Sequence, residues 1–424
     1  MLSVMIIVFL VLMLAGVPLA ITMVLASFSY LLSGGAFPIQ AIPQRMIVGT
    51  DSFTFLAIPF FFLAGELMNT GGLMTRIVKF VQGMIGFIRG GLAFVNVITN
   101  MIMAGMSGSA LADAAATGTV LIPAMEKAGY SRAFAAALTA AAGTIGPIIP
   151  PSIPFVIYAG IANLSVGKMF MAGAVPGAFM GIFLMVASYF ISVKRGYGKE
   201  ARQSLGQIFA NFRHALLALL MPVIILGGIL SGVTTATEAA VVAVVYSLIV
   251  SMFIYKQITL KDLPNIIYKA AIDTAVIMFI ISAASMFGWI LGREQVPQHL
   301  MQIVESFTTS PWMVLVLLNI IFLILGMFME GTSILIILTP VLLPLINAMG
   351  IDLYQFGVII VLNLMIGLIT PPVGMTLFIT SRIAGLGVDV VAKEMVPFII
   401  ALVVLLLLVT YWPALSLWLP SIIA

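Results

Sequence analysis

The sequence predicts an all-α polytopic membrane protein built from two inverted repeats, each with a re-entrant hairpin and a broken helix. Three observations lead to this fold class. Hydrophobic residues make up 62% of the 424 residues, charged residues only 8%, and the mean hydropathy is +1.25. Many apolar runs exceed the ~20 residues that a helix needs to span a bilayer. Two of these runs are interrupted by proline-rich segments, which recur at a fixed spacing.

The composition also excludes several classes of site and partner. The chain contains no cysteine, which excludes disulfides, thiolate metal sites and thiol nucleophiles. The net charge of +4 does not indicate a nucleic-acid partner, because the basic residues cluster in short loops between runs that contact membrane lipids. We find no nucleophile triad, redox-cofactor site or Walker loop. We therefore expect neither an enzyme nor a transporter that hydrolyses ATP itself.

Apolar runs predict nine membrane spans, and two further regions have the pattern of hairpins. Regions 91–125 and 312–348 each hold two apolar arms that look too short to cross the bilayer twice. They turn at 105–109 and 330–333, and we predict re-entrant hairpins whose tips lie inside the protein. Two ordinary spans joined by a tight turn are the alternative. The predicted spans are 2–32, 53–69, 133–162 (broken), 170–193, 214–230, 236–255, 269–292, 355–384 (broken) and 396–420.

Both broken spans contain prolines where a continuous helix is impossible. Segment 143–154 has four prolines, and segment 367–374 has the pair Pro371–Pro372. Proline lacks a backbone N–H, and its ring clashes with the preceding helical turn. Carbonyl groups freed in this way are tolerated within a membrane only where protein buries them or where they line a wet cavity. Each break is therefore a candidate ion or substrate site.

Lysine and arginine predict the orientation. If the basic loop 194–213 is cytoplasmic, as an excess of positive charge indicates, the other basic residues follow by counting crossings. Of the 18 Lys and Arg residues, only Arg45, Lys168 and Arg293 then fall on the outer face. This orientation places the N-terminus inside and the C-terminus outside.

An internal repeat relates the two halves. An offset of 221 residues superposes Pro150–Pro151 on Pro371–Pro372, and it also pairs Pro123 with Pro344 and Gly146 with Gly367. Five predicted crossings separate the hairpins, so the hairpins enter from opposite faces, as in many alternating-access carriers. The predicted organisation is 1–90 (N-terminal scaffold), 91–193 (first repeat core), 194–311 (central loop and scaffold spans) and 312–424 (second repeat core).

The hairpin tips carry small, oxygen-bearing residues, and each should face the break of its own half. Monovalent cations require several oxygen ligands, which hydroxyl groups and the C-terminal carbonyls of half-helices supply. Close helix packing through small residues, without any ligand, is the alternative. The predicted cation site residues are Ser107, Gly108, Ser109, Gly143 and Gly146 in the first half, and Glu330, Gly331, Thr332, Gly367 and Thr370 in the second.

Acidic residues within apolar runs are functional candidates by default, and two of them lie at hairpin tips. Asp113 and Glu330 are therefore the leading cation ligands or coupling carboxylates. Glu238 is better explained by a capping box with the threonine three residues before it. Asp273 follows Lys269 by four residues, and we expect an ion pair along the helix to account for it.

A substrate that is an acid needs groups that bind its negative charge. Half-helix N-termini and free N–H groups would attract an anion. Arg293 and Arg382 could also neutralise it, although both fit the pattern of interface anchors. With Ser109, Asp113 and Ser152, these two arginines complete the predicted substrate-binding residues.

Five motifs together resemble one family of membrane proteins. The motifs are IPFFFLAGE at 58–66, SGSALAD at 107–113, GPIIPPS at 146–152, LTP at 338–340 and GLITPPVG at 367–374. With them the chain resembles, nearly end to end, the large membrane subunit of tripartite ATP-independent periplasmic (TRAP) transporters. Glu330 stands where the family often has aspartate, a shorter carboxylate of the same charge.

The resemblance implies an elevator-type transporter, in which a mobile domain holding both hairpins moves against a scaffold. It implies sodium-coupled (Na+) import of an organic acid, such as a C4-dicarboxylate, a sugar acid or sialic acid, across the bacterial inner membrane. It also implies two partners: a periplasmic substrate-binding protein and a small membrane subunit of about four helices. By motif, Ser107, Ser109 and Asp113 would belong to one ion and substrate site, and the residues of the second half to the other.

Two other functions stay open from the residues alone. A stand-alone ion-coupled organic-anion carrier of the wider ion-transporter superfamily would share the duplicated hairpins and need no binding protein. A passive channel could also be built from broken helices, but it would need a continuous path and would not saturate with substrate. Uptake measurements with and without the two partners test the stand-alone carrier, and saturation of uptake with substrate tests the channel.

Overall fold

The computed structural model describes residues 1–35 and 37–422, and over these residues the chain forms twenty α-helices and no β-strand. In chain order they are α1 (Leu2–Leu14), α2 (Leu19–Leu32), α3 (Ala41–Thr50), α4 (Ala57–Thr70), α5 (Leu73–Ile85), α6 (Gly91–Ser107), α7 (Ala110–Lys127), α8 (Arg132–Gly143), α9 (Ile153–Ala162), α10 (Val166–Arg195), α11 (Leu205–Leu230), α12 (Ala236–Ile249), α13 (Leu263–Arg293), α14 (Val296–Phe307), α15 (Pro311–Phe328), α16 (Gly331–Ala348), α17 (Leu353–Gly367), α18 (Met375–Ala384), α19 (Val388–Tyr411) and α20 (Ala414–Ile422). A 3₁₀ turn at Phe53–Leu56 precedes α4, and a π-helical turn at Val250–Ile254 extends α12.

Eight helical segments of the described residues are long and apolar enough to cross a membrane, which confirms a polytopic all-α membrane protein. The two hairpins differ in this respect. Both arms of the second hairpin, α15 and α16, meet the length and hydropathy of a span, whereas α6 and α7 of the first hairpin do not. The expectation that the arms within 312–348 are too short to cross is therefore wrong. Re-entry into the bilayer stays a prediction for both hairpins.

The N-terminal run is not the single span that we predicted over 2–32. It forms two short helices, α1 and α2, which pack against each other. Gly16 adopts a positive φ of 79°, and Pro18 is the N-cap residue of the second helix, so the chain reverses around these two residues. The sulfur of Met1 lies only 3.7 Å from where a Cβ on Gly34 would be. The two ends of this pair therefore share one face, and the prediction that they lie on opposite faces is wrong.

That face is the outer one if the basic loop 194–213 is cytoplasmic. The hydroxyl of Tyr30, near the end of α2, donates to Glu294 Oε1 at 2.5 Å, directly beyond the end of α13. Counting crossings from loop 194–213 through α11, α12 and α13 brings Glu294 to the opposite face. With loop 194–213 on the cytoplasmic side, the N-terminus is therefore outside, where the sequence pattern predicted it inside.

The internal repeat is present in the helices themselves. Adding 221 to the bounds of α7 gives the bounds of α16. The same offset takes Ser131, whose side chain caps the N-terminus of α8, to Asp352, whose side chain caps α17. The breaks are at 144–152, between α8 and α9, and at 368–374, between α17 and α18. Both contain a cis Pro–Pro bond. The two predicted broken helices are therefore confirmed.

The repeats are inverted, because their hairpins start at opposite ends of α10. At the base of the first hairpin, the backbone N–H of Ser131 donates to the hydroxyl of Tyr197 at 3.2 Å, just beyond the C-terminal end of α10. At the base of the second, Leu353 accepts at 2.7 Å from the hydroxyl of Tyr158, in the helix that ends directly before α10 begins. With 30 residues, α10 is roughly 45 Å long.

The repeats also interlock at the centre of the molecule. The returning arm of the first hairpin, α7, packs against α18, and the returning arm of the second hairpin, α16, packs against α9. Each hairpin therefore contacts the second half of the other repeat's broken helix. This exchange brings both tips and both breaks to one place, which is where a site shared by the repeats has to lie.

Candidate substrate and ion site

A cavity of about 400 Å³ lies where the hairpin tips and helix breaks meet, and we call it the central cavity. One wall comes from α4 and α13, and the others come from the two tips and the residues around the two breaks. The residues that line it are Phe62, Gly108, Ser109, Ala110, Leu111, Ala112, Pro147, Ile153, Pro154, Asp273, Val276, Ile277, Glu330, Thr332, Met365 and Leu368.

Asp113 lies just behind this cavity, in the first turn of α7. It is fully buried, and Ser107 donates a hydrogen bond to its Oδ1. Its Oδ2 is also buried and has no hydrogen-bond partner among the described residues. That oxygen faces Gly146, since a Cβ placed on Gly146 would collide with it. A buried carboxylate oxygen without a partner is unfavourable unless a cation or a proton occupies the space beside it.

Glycines allow the first tip to contact the first break directly. Gly108 has a φ of 61°, and a Cβ on it would lie 2.8 Å from the carbonyl oxygen of Pro151. Gly143 is equally close to α7, because its Cβ would lie 2.8 Å from the Cβ of Ala114. The structure thus brings the predicted first-half residues together around Asp113, with the break as the second wall.

Two serines of the predicted site cap helices. Ser109 accepts from the N–H of Ala112 at 3.4 Å at the start of α7, and it lines the central cavity. Ser152 accepts from the N–H of Phe155 at 3.2 Å, and its hydroxyl donates to the carbonyl of Pro147. Ser152 is fully buried within the break and does not line the central cavity. Both side chains fix where a helix N-terminus points.

Glu330 is the counterpart of Ser109 at the offset of 221, and both oxygens of its carboxylate already accept hydrogen bonds. It caps α16 by accepting from the N–H groups of Thr332 at 2.9 Å and Ser333 at 2.8 Å. The hydroxyl of Ser333 donates to it as well, at 3.0 Å. Glu330 and Thr332 line the central cavity. The second tip is therefore a capped helix end that carries a negative charge.

The predicted glycines of the second half make close helix contacts. A Cβ on Gly367 would lie 2.5 to 2.7 Å from backbone atoms of Gly326, so α15 and α17 touch backbone to backbone. A Cβ on Gly331 would lie 3.1 Å from Leu364. The hydroxyl of Thr370 donates to the carbonyl of Ile366 at 2.7 Å. The contacts of these residues are thus those of close helix packing, which was the alternative to ion ligation in the sequence analysis.

The two predicted arginines lie away from the central cavity. Arg293 ends α13, with its guanidinium 5.8 Å from the ring centre of Trp289. Arg382 lies in α18 and lines a separate surface pocket with Phe378 and Leu386. Substrate binding by either arginine stays a prediction, and the structure does not bring them to the tips.

Asp273 is the site residue that sequence reasoning missed. It lines the central cavity from α13, opposite the hairpin tips. Lys269 does not come within 4.0 Å of its carboxylate, so the expected pair is not in direct contact, although the two side chains interact electrostatically along the helix. Glu238, in contrast, forms the predicted capping box with Thr235 at the start of α12. The sequence signal for Asp273 was its position inside an apolar run. We did not count it as a site residue because its spacing from Lys269 suggested an ion pair.

The charge of the central cavity is negative. Asp273 and Glu330 line it, and no Lys, Arg or His is among its described lining residues. Opposing this charge is the N-terminus of α7, whose first N–H groups, those of Ala110 and Leu111, have no partner within their own helix. A helix N-terminus carries a partial positive charge and attracts anions. The cavity can thus hold an anion at the N-terminus of α7 only if the negative charge of the nearby carboxylates is neutralised.

Comparisons with known proteins agree with this architecture. A family model described as the DctM component of tripartite ATP-independent periplasmic transporters matches residues 6–415. The sialic acid TRAP transporter large permease protein SiaM of Vibrio cholerae is 41% identical over 411 residues, which are 97% of this chain and 96% of that protein. The C4-dicarboxylate TRAP transporter large permease protein DctM of Pseudomonas aeruginosa is 42% identical over 383 residues, 90% of each chain.

A solved structure shares the fold at much lower identity. The YdaH transporter of Alcanivorax borkumensis superposes with a TM-score of 0.64 at 14% identity, covering 89% of this chain and 88% of that one. The family description and the name large permease protein imply a smaller membrane subunit and a periplasmic component as partners. The chain belongs to the DctM component family of TRAP transporters, and it is a large, multi-pass membrane permease subunit.

Proposed function

We propose that this subunit imports an organic acid across the bacterial inner membrane by coupling its movement to that of sodium. The observation that carries the proposal is the buried Asp113, whose Oδ2 lacks a partner and faces the break at Gly146. Around the same point lie the carbonyl oxygen of Gly143 and the carbonyl carbon of Ser109, both 3.3 Å from where a Cβ on Gly146 would be. The two oxygen atoms at this point, Asp113 Oδ2 and the Gly143 carbonyl oxygen, are hard ligands of the kind that a sodium ion prefers.

The acid would bind in the central cavity with a carboxylate at the N-terminus of α7. The relatives described above are named for sialic acid and for C4-dicarboxylates, both of which are carboxylic acids. Because Asp273 and Glu330 give the cavity a negative charge, binding of the acid becomes favourable when sodium ions enter with it. This charge balance is the physical reason for coupling: neither ion is well bound without the other.

Movement of the two hairpins together against α4 and α13 would give alternating access. The tips and the breaks belong to elements that interlock across the repeats, whereas α4 and α13 supply the opposite wall. An elevator-type motion would carry the tips along that wall. Two partners would complete the transporter: a periplasmic binding protein that delivers the acid, and a small membrane subunit of about four helices.

Uptake into proteoliposomes tests this function. We expect uptake of radiolabelled acid under an inward sodium gradient only when this subunit, the small subunit and the binding protein are all present. Replacement of sodium by choline or lithium should abolish that uptake. Uptake that is unchanged after the replacement would contradict sodium coupling. Uptake by this chain alone would instead favour a stand-alone carrier and contradict the role of the partners.

A further inference from the structure

A second cavity lies on the outer side of the central one. It has a volume of about 550 Å³ and is formed by α3, α9, α13 and α16, and we call it the outer cavity. Most of its lining is apolar, but Arg45, Asp51, Ser52 and Asn163 contribute polar groups. Its size and its mixture of apolar walls with a few polar groups are typical of sites for small organic molecules.

The two cavities are stacked along the same helices. On α13, Ile277 lines the central cavity and Ile281 the outer one. On α16, Thr332 lines the central cavity and Ile336 the outer one. Each pair is four residues apart, which is about one helical turn or ~6 Å. Helix α9 also lines both cavities. The outer cavity is thus the next space along the column that leads outward from the hairpin tips.

Arg45 is placed in the outer cavity without a carboxylate partner. Its guanidinium lies 4.9 Å from the ring centre of Trp289, and no described carboxylate lies within 4.0 Å of it. Its backbone is held, because the carbonyl of Arg45 accepts from the hydroxyl of Ser285 at 3.2 Å. An arginine that stacks on an aromatic ring keeps its N–H groups free for a carboxylate, which it can bind in a bidentate manner.

The two cavities have complementary electrostatics for an acid. The central cavity is lined by two carboxylates and by no basic residue among its described lining residues. The outer cavity has one arginine and one aspartate, Arg45 and Asp51. An acid that arrives without sodium is therefore repelled from the central cavity but not from the outer one. The outer cavity can hold the acid before the sodium site is filled.

We propose that the outer cavity is a second binding site for the transported acid, at which Arg45, held against the ring of Trp289, binds a carboxylate. The acid occupies this site before it moves one to two helical turns inward to the hairpin tips. The inference rests on the proposed function, since it assumes that the central cavity also binds an organic acid.

Because the native chain has no cysteine, single cysteines can report on each cavity separately. Val48→Cys places a thiol in the outer cavity, one turn from Arg45, and Leu111→Cys places one in the central cavity. The full chain is studied in lipid nanodiscs with sodium, and the rate of reaction with a methanethiosulfonate reagent is measured. The protecting probes are succinate, gluconate and N-acetylneuraminate.

We expect any probe that slows labelling of Leu111→Cys to slow that of Val48→Cys as well. Adding Arg45→Gln should raise the probe concentration that protects Val48→Cys by at least about tenfold, the factor that corresponds to 1.4 kcal/mol, and leave protection at Leu111→Cys unchanged. Lys168 is a positive charge on the same face that does not line the outer cavity. Lys168→Gln should therefore change neither the protection of Val48→Cys nor that of Leu111→Cys.

Three outcomes would overturn the outer site. Protection of Leu111→Cys without protection of Val48→Cys would show that the acid binds only at the tips. Equal protection of Val48→Cys with and without Arg45→Gln would exclude the arginine as the ligand. If no probe protects either cysteine, the proposed transport of organic acids fails, and the outer site fails with it. The first two outcomes leave the proposed function standing.

Discussion

Asp113 and Glu330 are both acidic residues at hairpin tips, yet their surroundings differ. Glu330 accepts two backbone N–H groups and one hydroxyl, so its charge is compensated by the helix that it caps. Asp113 accepts from Ser107 at one oxygen and from no described residue at the other. The two residues do not correspond in the repeat, since the offset of 221 takes Asp113 to Ile334. Among the described residues, the buried carboxylate oxygen without a hydrogen-bond partner therefore belongs to the first half.

We predict that Asp113→Asn weakens sodium coupling without unfolding the protein. Asparagine keeps the shape and the hydrogen bond to Ser107 but removes the charge. The sodium concentration for half-maximal uptake should rise roughly tenfold or more, since the loss of a contact worth about 1.4 kcal/mol changes a binding constant by that factor. Asp389→Asn, at an exposed position of α19, is the matched control and should not change it. An unchanged sodium dependence in Asp113→Asn would rule out this carboxylate as a sodium ligand.

We predict that Glu330→Ala destabilises the protein through loss of the cap. Thr332 and Ser333 would lose the acceptor for their N–H groups, which lowers the free energy of unfolding by about 1 kcal/mol. Thermal unfolding in detergent measures this loss. Glu330→Ser introduces the capping residue of the equivalent position in the first half and should restore most of the stability. A stable Glu330→Ala variant with altered sodium dependence would instead assign Glu330 to an ion site.

At the scale of elements, glycine determines how closely the hairpin arms approach the broken helices. Gly326 of α15 and Gly367 of α17 are in backbone contact, and no side chain fits between them. Buried polar side chains support the same packing, since Asn363 of α17 donates to Asn319 of α15 at 2.7 Å. Asn319 in turn donates to Thr410 of α19 at 3.0 Å. These contacts join three helices of the second repeat into one unit.

We predict opposite effects for two glycine substitutions. Gly367→Ala places a methyl group against the backbone of Gly326 and should lower the free energy of unfolding by about 1–3 kcal/mol. Gly292→Ala, in α13, meets nothing within 4 Å and should raise it by up to about 1 kcal/mol, because alanine favours helix. Thermal unfolding of both variants in the same detergent measures the difference. Destabilisation of equal size in both would show that the Gly326–Gly367 contact is not tight.

The helix breaks were predictable because prolines and glycines cluster there within a few residues, whereas single prolines such as Pro176 stay inside a helix. The repeat was predictable because prolines and glycines keep their spacing. Two other features could not be predicted from the sequence. The pair α1–α2 is apolar throughout, so length alone did not distinguish a long span from two short helices. Asp273 lies on α13, which is apolar on all sides, so the sequence does not tell which side faces the cavity. Its contact with the hairpin tips depends on long-range packing.

At the scale of the whole molecule, the topology follows from two observations. The bases of the hairpins lie at opposite ends of α10, and the N-terminal pair α1–α2 returns to the face from which it starts. The first observation agrees with the predicted inversion. The second reverses the predicted side of the N-terminus. The arrangement of the basic loops still predicts which face is cytoplasmic.

We predict from this topology which single cysteines react from each side. Ser3→Cys and Ser33→Cys, both exposed, should be labelled from outside intact cells by a thiol reagent that does not cross membranes. Lys199→Cys, in the basic loop, should react only after the cells are permeabilised. The cysteine-free native chain serves as the background. Labelling of Ser3→Cys and Ser33→Cys from opposite sides would contradict the folded-back N-terminal pair.

The length of α10 has a mechanical consequence for the two hairpins. A single helix of 30 residues, with Pro176 in its interior, joins the region around one hairpin base to the region around the other. Apart from the one that Pro176 cannot donate, the backbone hydrogen bonds of α10 run along its axis, so we expect the helix to resist compression and extension. A displacement at one base is therefore transmitted to the other as through a rod. A shift at the base of one hairpin would thus reach the other hairpin through α10 as well as across the central cavity that both tips line.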